Sequence, residues 1–488
     1  MNFNELLDTT KEYGTIVELI YPICICSGLP GARVSEMVVF EEGGEGKVLA
    51  MNKDYVEILI FSDLHLTVGS RVARTNEFLH MKVGFELLGN VIDPLGNLLF
   101  PNPKFKSPQL KIDIDVHPEP ISFRSRIKKQ LVTGITLIDQ LIPLGMGQRE
   151  LIVGDRKTGK TGTVFSIIKN QANSGNLVIY AAIGKRSIEI KKIRQDFENA
   201  GIMDKVCIVA SSSSSSPSLI DLTPYAAMGI ADFLKNNKKD VLIVFDDLST
   251  HAKFYREISL MAKKFPGRDS YPGDMFYKHA KLLERAGNYI VEKSDVSITA
   301  LAIAETVEGE LTDHITSNLI SITDGHILFD QKSFNKGIRP AVNVFLSVTR
   351  VGKQTQSFLC RDTTRNLLSF LSKYEKAMEF SHFGSELSAE SLQTLKLGDK
   401  MYKLFEQSVE EVVPINVQLF LIATIWKNIV PDLKPVQITA VKQTIIKSYA
   451  SKSEVKTFID KITTAKDFSE LLVNCEKEKQ EVIKLCAI

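Results

Sequence analysis

The chain has 488 residues, 44% hydrophobic and 24% charged, enough apolar mass for roughly two to four globular domains and too much for a disordered chain. Its 60 Lys and Arg stand against 58 Asp and Glu, so the net charge of +2 gives no bulk attraction to nucleic acid or to an anionic membrane. No apolar run reaches the ~18 to 20 residues of a bilayer span, and Glu5, Asp8 and Glu12 stand where a signal peptide is basic, so a cytoplasmic protein without direct lipid insertion is expected.

From Gly14 to about Leu79, short apolar runs such as Ile16–Ile20, Met37–Phe40 and Val56–Phe61 alternate with turn clusters such as Glu42-Gly43-Gly44-Glu45-Gly46. This pattern predicts a small all-β module over about 1–80. Cys24 and Cys26 fall in one of its apolar runs and read as small buried hydrophobes. None of the 6 cysteines forms a C-x-x-C pair, and all are expected to be reduced. Pro101, Pro103, Pro108, Pro118 and Pro120 then keep the backbone extended, as in a connector crossing a surface.

From about 131 to 350, buried-type strands at Glu150–Val153, Leu177–Ile183, Val241–Phe245 and Ile298–Ala304 alternate with helical stretches. That alternation predicts an α/β domain with a parallel sheet covered on both faces, spanning about 81–359. The serine run Ser211–Ser216 before Pro217 reads as a loop entering a helix. Beyond about Cys360, amphipathic periodicity at Phe420–Ile429 and Val441–Tyr449 predicts a helical C-terminal domain over 360–488.

Gly154-Asp155-Arg156-Lys157-Thr158-Gly159-Lys160-Thr161 fits G-x-x-x-x-G-K-[ST] and lies between an apolar strand and a helical segment. The two glycines permit a tight turn whose amides face phosphate, and the following helix offers its positive end. Lys160 would neutralise the terminal phosphates and Thr161 would offer a hydroxyl to magnesium, making Mg-ATP or Mg-ADP the expected ligand. The second magnesium-side group expected is Asp246, at the end of the buried run Val241–Phe245.

The series Thr133-Gly134-Ile135, Gly147-Gln148-Arg149-Glu150, the phosphate loop, Ala182-Ile183-Gly184 and Asp246-Asp247-Leu248-Ser249 resembles the alpha subunits of F-type ATP synthases. The likeness continues through Pro266-Gly267-Arg268-Asp269-Ser270-Tyr271-Pro272-Gly273-Asp274, Gly337-Ile338-Arg339-Pro340 and Ser347-Val348-Thr349-Arg350-Val351-Gly352. The resemblance implies an N-terminal barrel crown, a phosphate-loop (RecA-like) core, and a helical region around a rotating central-stalk gamma-type subunit. It also implies a ring alternating with catalytic beta-type subunits and peripheral attachment to the inner face of the cell membrane through the complex. Arg350 matches an arginine that reaches the neighbouring beta-type site, where a guanidinium stabilises the transferring phosphoryl group. Arg339, Pro340 and Gln407 match the family's adenine contacts, but Val409 replaces a second glutamine.

Catalytic relatives place a glutamate directly after the glycine that ends the next strand. This protein reads Gly184-Lys185-Arg186-Ser187 there, so no turnover by the subunit itself is expected, and Glu189 reads as a surface charge. The segment before Gly14 reads as shorter than the family's leader and without an additional helix, so altered stator attachment is expected. This is similar to the divergent synthase-like ATPases of wall-less bacteria. A self-sufficient export-type hexameric motor would require the missing carboxylate. An RNA translocase would require basic and aromatic residues in the β module, which instead carries Glu41, Glu42 and Glu45.

Overall fold

The computed structural model describes residues 3–61, 66–265, 267–382, 388–430 and 434–486. Pro266 of the family-like series, and the side chain of Arg268, lie outside the described residues.

Strands Tyr13–Ile20, Ile23–Ser27, Val56–Ile60, Glu45–Met51, Glu36–Phe40 and Arg71–Phe78 pair in that order and close into a barrel. Closure removes the free edges that would otherwise template aggregation. Inward positions carry Ile16, Cys24, Cys26, Val38, Phe40, Val48, Ile58, Ile60 and Val72, a core built by period-2 alternation. Both cysteines are buried there, and the described cysteines are all free thiols.

One correction concerns the segment before the barrel. Phe3–Thr10 is a helix, burying Phe3 and Leu6 against Ala73 of the barrel. Two apolar residues at i and i+3 suffice to stick a short helix to a preformed surface, a signal too brief to read in isolation. The proline-rich connector also differs from a plain extended crossing, because Leu110–Asp113 pairs antiparallel with His80–Val83.

Among the described residues the central sheet has nine strands. Its path runs Val348–Thr349, Gly325–Phe329, Arg149–Asp155, Ser294–Thr306, Val241–Asp246, Leu177–Lys185, Val206–Ser212 and Val91–Ile92. All neighbours on this path are parallel except Val348–Thr349, which runs antiparallel to Gly325–Phe329. Off the path, Gly287–Val291 pairs antiparallel with the start of Ser294–Thr306. Alternate residues of each strand enter opposite cores: Leu151 and Val153 face one side with Ile179, Ala181 and Ile183, while Ile152 faces the other with Val178, Tyr180 and Ala182. The first side is covered by helices Pro217–Asn236, Leu248–Met261 and Met275–Leu283 and touches the barrel through Ile23, Met37, Leu59 and Phe61. The second is covered by helices Lys160–Asn173 and Ser187–Asn199 and is continuous with the C-terminal helices. Ser211 and Ser212 end the strand Val206–Ser212, and the later serines enter the helix that begins at Pro217, which Ser216 caps.

The C-terminal helices pack around Ile415–Trp426, which is buried from Val417 to Ile425. A buried carboxylate joins this bundle to the nucleotide domain. Asp139 accepts from Thr133 N and Oγ1 at 2.7 Å, from Gly134 N at 2.9 Å, and from Gln418 Nε2 of the central helix at 2.9 Å. Burial is the largest influence on Asp139 and, against these donors, pushes its carboxyl up to about 6.

Because this folded-state value lies above the ordinary aspartate value of about 3.9, the native state holds a proton that the unfolded protein releases between roughly pH 4 and 6. Asp139 therefore makes wild-type stability fall as pH rises through that window, by up to about 3 kcal/mol on a two-unit shift. Asp139→Asn should be less stable than wild type at pH 4, and the gap should narrow as pH rises to 6 in thermal unfolding. A gap that widens over that range would contradict the assignment.

Candidate functional site

The strand Arg149–Asp155 delivers the phosphate loop at its C-terminal end, where the first turn of helix Lys160–Asn173 begins. Gly154 has φ +153°, and a Cβ there would lie 2.5 Å from the Phe329 carbonyl, so the close approach to the next strand requires glycine. Gly159, at φ 94°, is the helix N-cap and supplies no side chain to cap it. The helix's first amides lack intrahelical acceptors, so this end is open to an anion. Lys160 is only 7% exposed, and its Nζ donates to the carbonyls of Gly154 and Asp155, each at 2.6 Å. Burial lowers its pKa, while Glu305, Asp247, Asp246 and Asp155 oppose that shift. An uncapped helix start, two positive-φ glycines and a buried ammonium together fit a nucleotide's phosphates.

The loop's other side chains divide their roles. Thr158 is buried and donates to the Asp155 carbonyl at 2.7 Å, which tightens the turn. Asp155 accepts from Thr306 Oγ1 at 2.7 Å and Gly309 N at 2.8 Å, so its carboxylate anchors the loop to the adjacent strand. Arg156 pairs with Glu305 at 2.7 Å at the surface, and Lys157 stands exposed with φ 61°. Thr161 is exposed at the mouth of the site.

Beside the loop is a cavity of 160 Å³ lined by Ile135, Gly162, Arg339, Pro340, Gln407 and Val409. The three residues expected at a base are thus together, but their polar atoms are largely committed to the protein. Gln407 Nε2 donates to the carbonyls of Gly134 at 2.6 Å and Glu411 at 2.7 Å, while its Oε1 accepts from Thr136 N at 3.1 Å. Arg339 donates to the carbonyls of Phe334 and Ile338, both at 2.8 Å, and its guanidinium lies 3.5 Å from the Phe334 ring centroid. The wall offers a base shape and apolar contact more than free hydrogen-bonding groups. Val409 also lines a neighbouring 660 Å³ cavity with Phe165, Tyr180 and Phe197.

The acidic end of Val241–Asp246 lies two strands away on the same edge of the sheet. Asp246 is 4% exposed, and burial raises its carboxyl above the ordinary range against the pull of Lys185. Both its oxygens are engaged. Oδ1 pairs with Lys185 Nζ at 2.7 Å, and Oδ2 accepts from the Tyr180 hydroxyl. Lys185 Nζ also reaches Asp247 Oδ2 at 3.4 Å. Burial works against the Lys185 ammonium, but Asp246 and Asp247 outweigh it and hold its pKa above the ordinary lysine value. Asp247 itself caps helix Leu248–Met261 through Thr250 N at 2.6 Å. The residues therefore fit the nucleotide, whereas a magnesium ion would find the Thr161 hydroxyl open and Asp246 already bound to a cation.

Tyr180 and the double pairing of Lys185 were not legible as site features. The signal available was a tyrosine inside an otherwise aliphatic inner strand and a lysine at the end of the same strand. Their meaning depends on the register Ala182↔Asp246, which only the sheet supplies. Glu189 is turned back onto Arg186 at 2.7 Å, and that hydrogen bond lowers its pKa, so its carboxylate acts as a helix-start charge.

Arg350 lies elsewhere. Its N–H donates to the Asp324 carbonyl at 3.0 Å, and Asp324 N donates to the Arg149 carbonyl at 2.8 Å, placing Arg350 level with the start of the phosphate-loop strand. About six residues of strand at roughly 3.3 Å each separate that level from the loop, close to 20 Å. The exposed guanidinium is held by the Thr323 carbonyl at 3.3 Å.

Comparison with known proteins agrees with this architecture. Residues 134–349 match the nucleotide-binding domain of the ATP synthase alpha/beta family, and residues 356–482 match the C-terminal domain of the same family. ATP synthase subunit alpha 1 of Mycoplasmopsis pulmonis is 36% identical, covering 98% of this sequence and 91% of that protein. ATP synthase subunit alpha of Dictyoglomus turgidum is 40% identical over 80% of this sequence and 77% of its own length. ATP synthase subunit alpha 2 of Syntrophotalea carbinolica is 36% identical over 96% and 89%. An uncapped phosphate loop on a parallel sheet, a barrel before it and a helical bundle after it thus occur in the order of these proteins, and the chain belongs to the ATP synthase alpha/beta family, among its alpha subunits.

Proposed function

We propose that this protein is the non-catalytic, nucleotide-holding subunit of a ring in which it alternates with catalytic beta-type subunits around a gamma-type shaft. Its barrel (1–80), nucleotide domain (81–359) and helical domain (360–488) would form crown, binding core and shaft-facing layer. The whole would attach peripherally to a membrane through other subunits. Lys160 and the loop amides hold the phosphates, the cavity bounded by Arg339, Pro340, Gln407 and Val409 takes the base, and Thr161 offers the magnesium-side hydroxyl.

The single observation that carries the reading is the separation of Arg350 from this subunit's own phosphate loop by the length of a strand. An arginine there is out of reach of its own nucleotide, yet it is exposed for a neighbour's. The position after Gly184, where a water-orienting carboxylate would be needed, carries an ammonium instead. A cation there cannot accept the proton of an attacking water.

The purified protein mixed with Mg-ATP should retain nucleotide and release negligible phosphate over many minutes. Sustained turnover abolished by Lys160→Ala would replace this reading with that of a self-sufficient motor. Lys160→Ala should weaken nucleotide binding by about 1.5 to 3 kcal/mol, roughly 10- to 150-fold, in equilibrium dialysis, because charge-assisted hydrogen bonds to phosphate are lost. Arg350→Ala should leave binding by the isolated subunit unchanged and lower ATPase activity of the assembled ring by about 10³-fold or more. Unaffected ring turnover would remove Arg350 from the mechanism.

A further inference from the structure

The cation bound at the acidic end of the sheet belongs to the protein itself. Asp246 and Asp247 are adjacent carboxylates, each with a side chain 5% exposed, at the same edge of the sheet as the phosphate loop. Two buried like charges beside a polyphosphate site are unfavourable unless a cation is present. Lys185 meets that need in geometry: its Nζ lies 2.7 Å from Asp246 and 3.4 Å from Asp247. Tyr180 donates to the remaining Asp246 oxygen, so the strand Leu177–Lys185 supplies both a neutral and a charged donor to the acid. Lys160, across the site, gives two of its three donors to the loop carbonyls.

We propose that Lys185 acts as a built-in counter-cation that lets this site hold nucleotide without a divalent metal. This deepens the nucleotide-holding reading given above and rests on it. With Lys185 in place, the carboxylates are screened from an incoming polyphosphate whether or not a metal accompanies it. An ammonium also has three N–H donors, so one remains to face phosphate when two are spent on Asp246 and Asp247. A divalent ion must displace or share Asp246 with this ammonium, so its binding adds little to the affinity. Without Lys185, the same carboxylates would repel metal-free nucleotide and accept a metal ion, returning the site to metal-dependent binding.

The test uses the full-length protein, with radiolabelled ADP and ATP in equilibrium dialysis, in excess EDTA or in millimolar Mg²⁺. Wild type should show affinities within about threefold of each other in the two buffers. Lys185→Gln, which keeps a polar side chain of similar reach, should lose about 30-fold or more in EDTA and regain most of it in Mg²⁺. Lys185→Arg should behave as wild type, since its guanidinium keeps the charge. A wild-type affinity that collapses in EDTA would overturn the proposal without recourse to any variant. So would a Lys185→Gln protein that remains as indifferent to metal as wild type. Absence of binding by wild type in both buffers would instead overturn the nucleotide-holding reading, and this inference with it.

Discussion

The parallel direction of the central strands is the constraint on which the rest of the molecule depends. A strand buried on both faces must have its backbone groups satisfied by its neighbours, and a crossover must carry the backbone back between parallel strands. Every such strand therefore ends at the same edge of the sheet. Gly154, Lys185, Asp246 and Glu305 are far apart in sequence, yet all lie at strand ends on that edge. The short antiparallel strand Val348–Thr349 breaks the rule, and it carries Arg350 to the opposite edge. One reversal of direction thus separates Arg350 from the phosphate loop by the length of a strand.

Concentrating strand ends also concentrates charge, and the protein meets the resulting cost by pairing buried ions closely. Lys185 with Asp246 and Asp247 is one instance. Lys442, fully buried in the helical bundle, pairs with Glu411 at 3.1 Å, and Arg74 pairs with Glu36 at 3.0 Å in the barrel. Such pairs need contribute little net stability, because desolvation offsets most of the Coulomb gain, but removing one partner leaves an isolated buried charge. They fix geometry. Asp139 shows the same logic with neutral donors: its hydrogen bonds hold the loop Thr133–Gly134 to Gln418 of the helical bundle.

Much of this could be read from the residues in order. The phosphate loop was legible because glycine spacing and a following helix leave few alternative uses for those residues, and the strands around it because their apolar runs are long. The barrel followed from alternation punctuated by glycine-rich turns. What escaped were features carried by register and by short segments. Helix Phe3–Thr10 depends on two apolar side chains finding the barrel. Leu110–Asp113 becomes a strand only because His80–Val83 is there to pair with it. Gln407 lines the cavity beside the loop, but that its amide bonds to Gly134, Thr136 and Glu411 could be seen only in the fold. The ion pair of Lys185 needed the strand pairing that sets it against Asp246.

Lys185 and Arg350 then bear on each other. In the proposed ring, both are cations brought to phosphate, one in this subunit's own site and one in its neighbour's, but they meet different charge environments. Lys185 is paired with two buried carboxylates, and in the proposal its charge goes to offsetting theirs. Arg350 donates to the Thr323 carbonyl, and its charge also acts on the buried Glu150 carboxyl. In the proposed ring, an exposed guanidinium held by a carbonyl is the one suited to a transition state in which negative charge builds up. In that proposal the two cations are distinguished by their partners, since two carboxylates hold Lys185 and a backbone carbonyl holds Arg350.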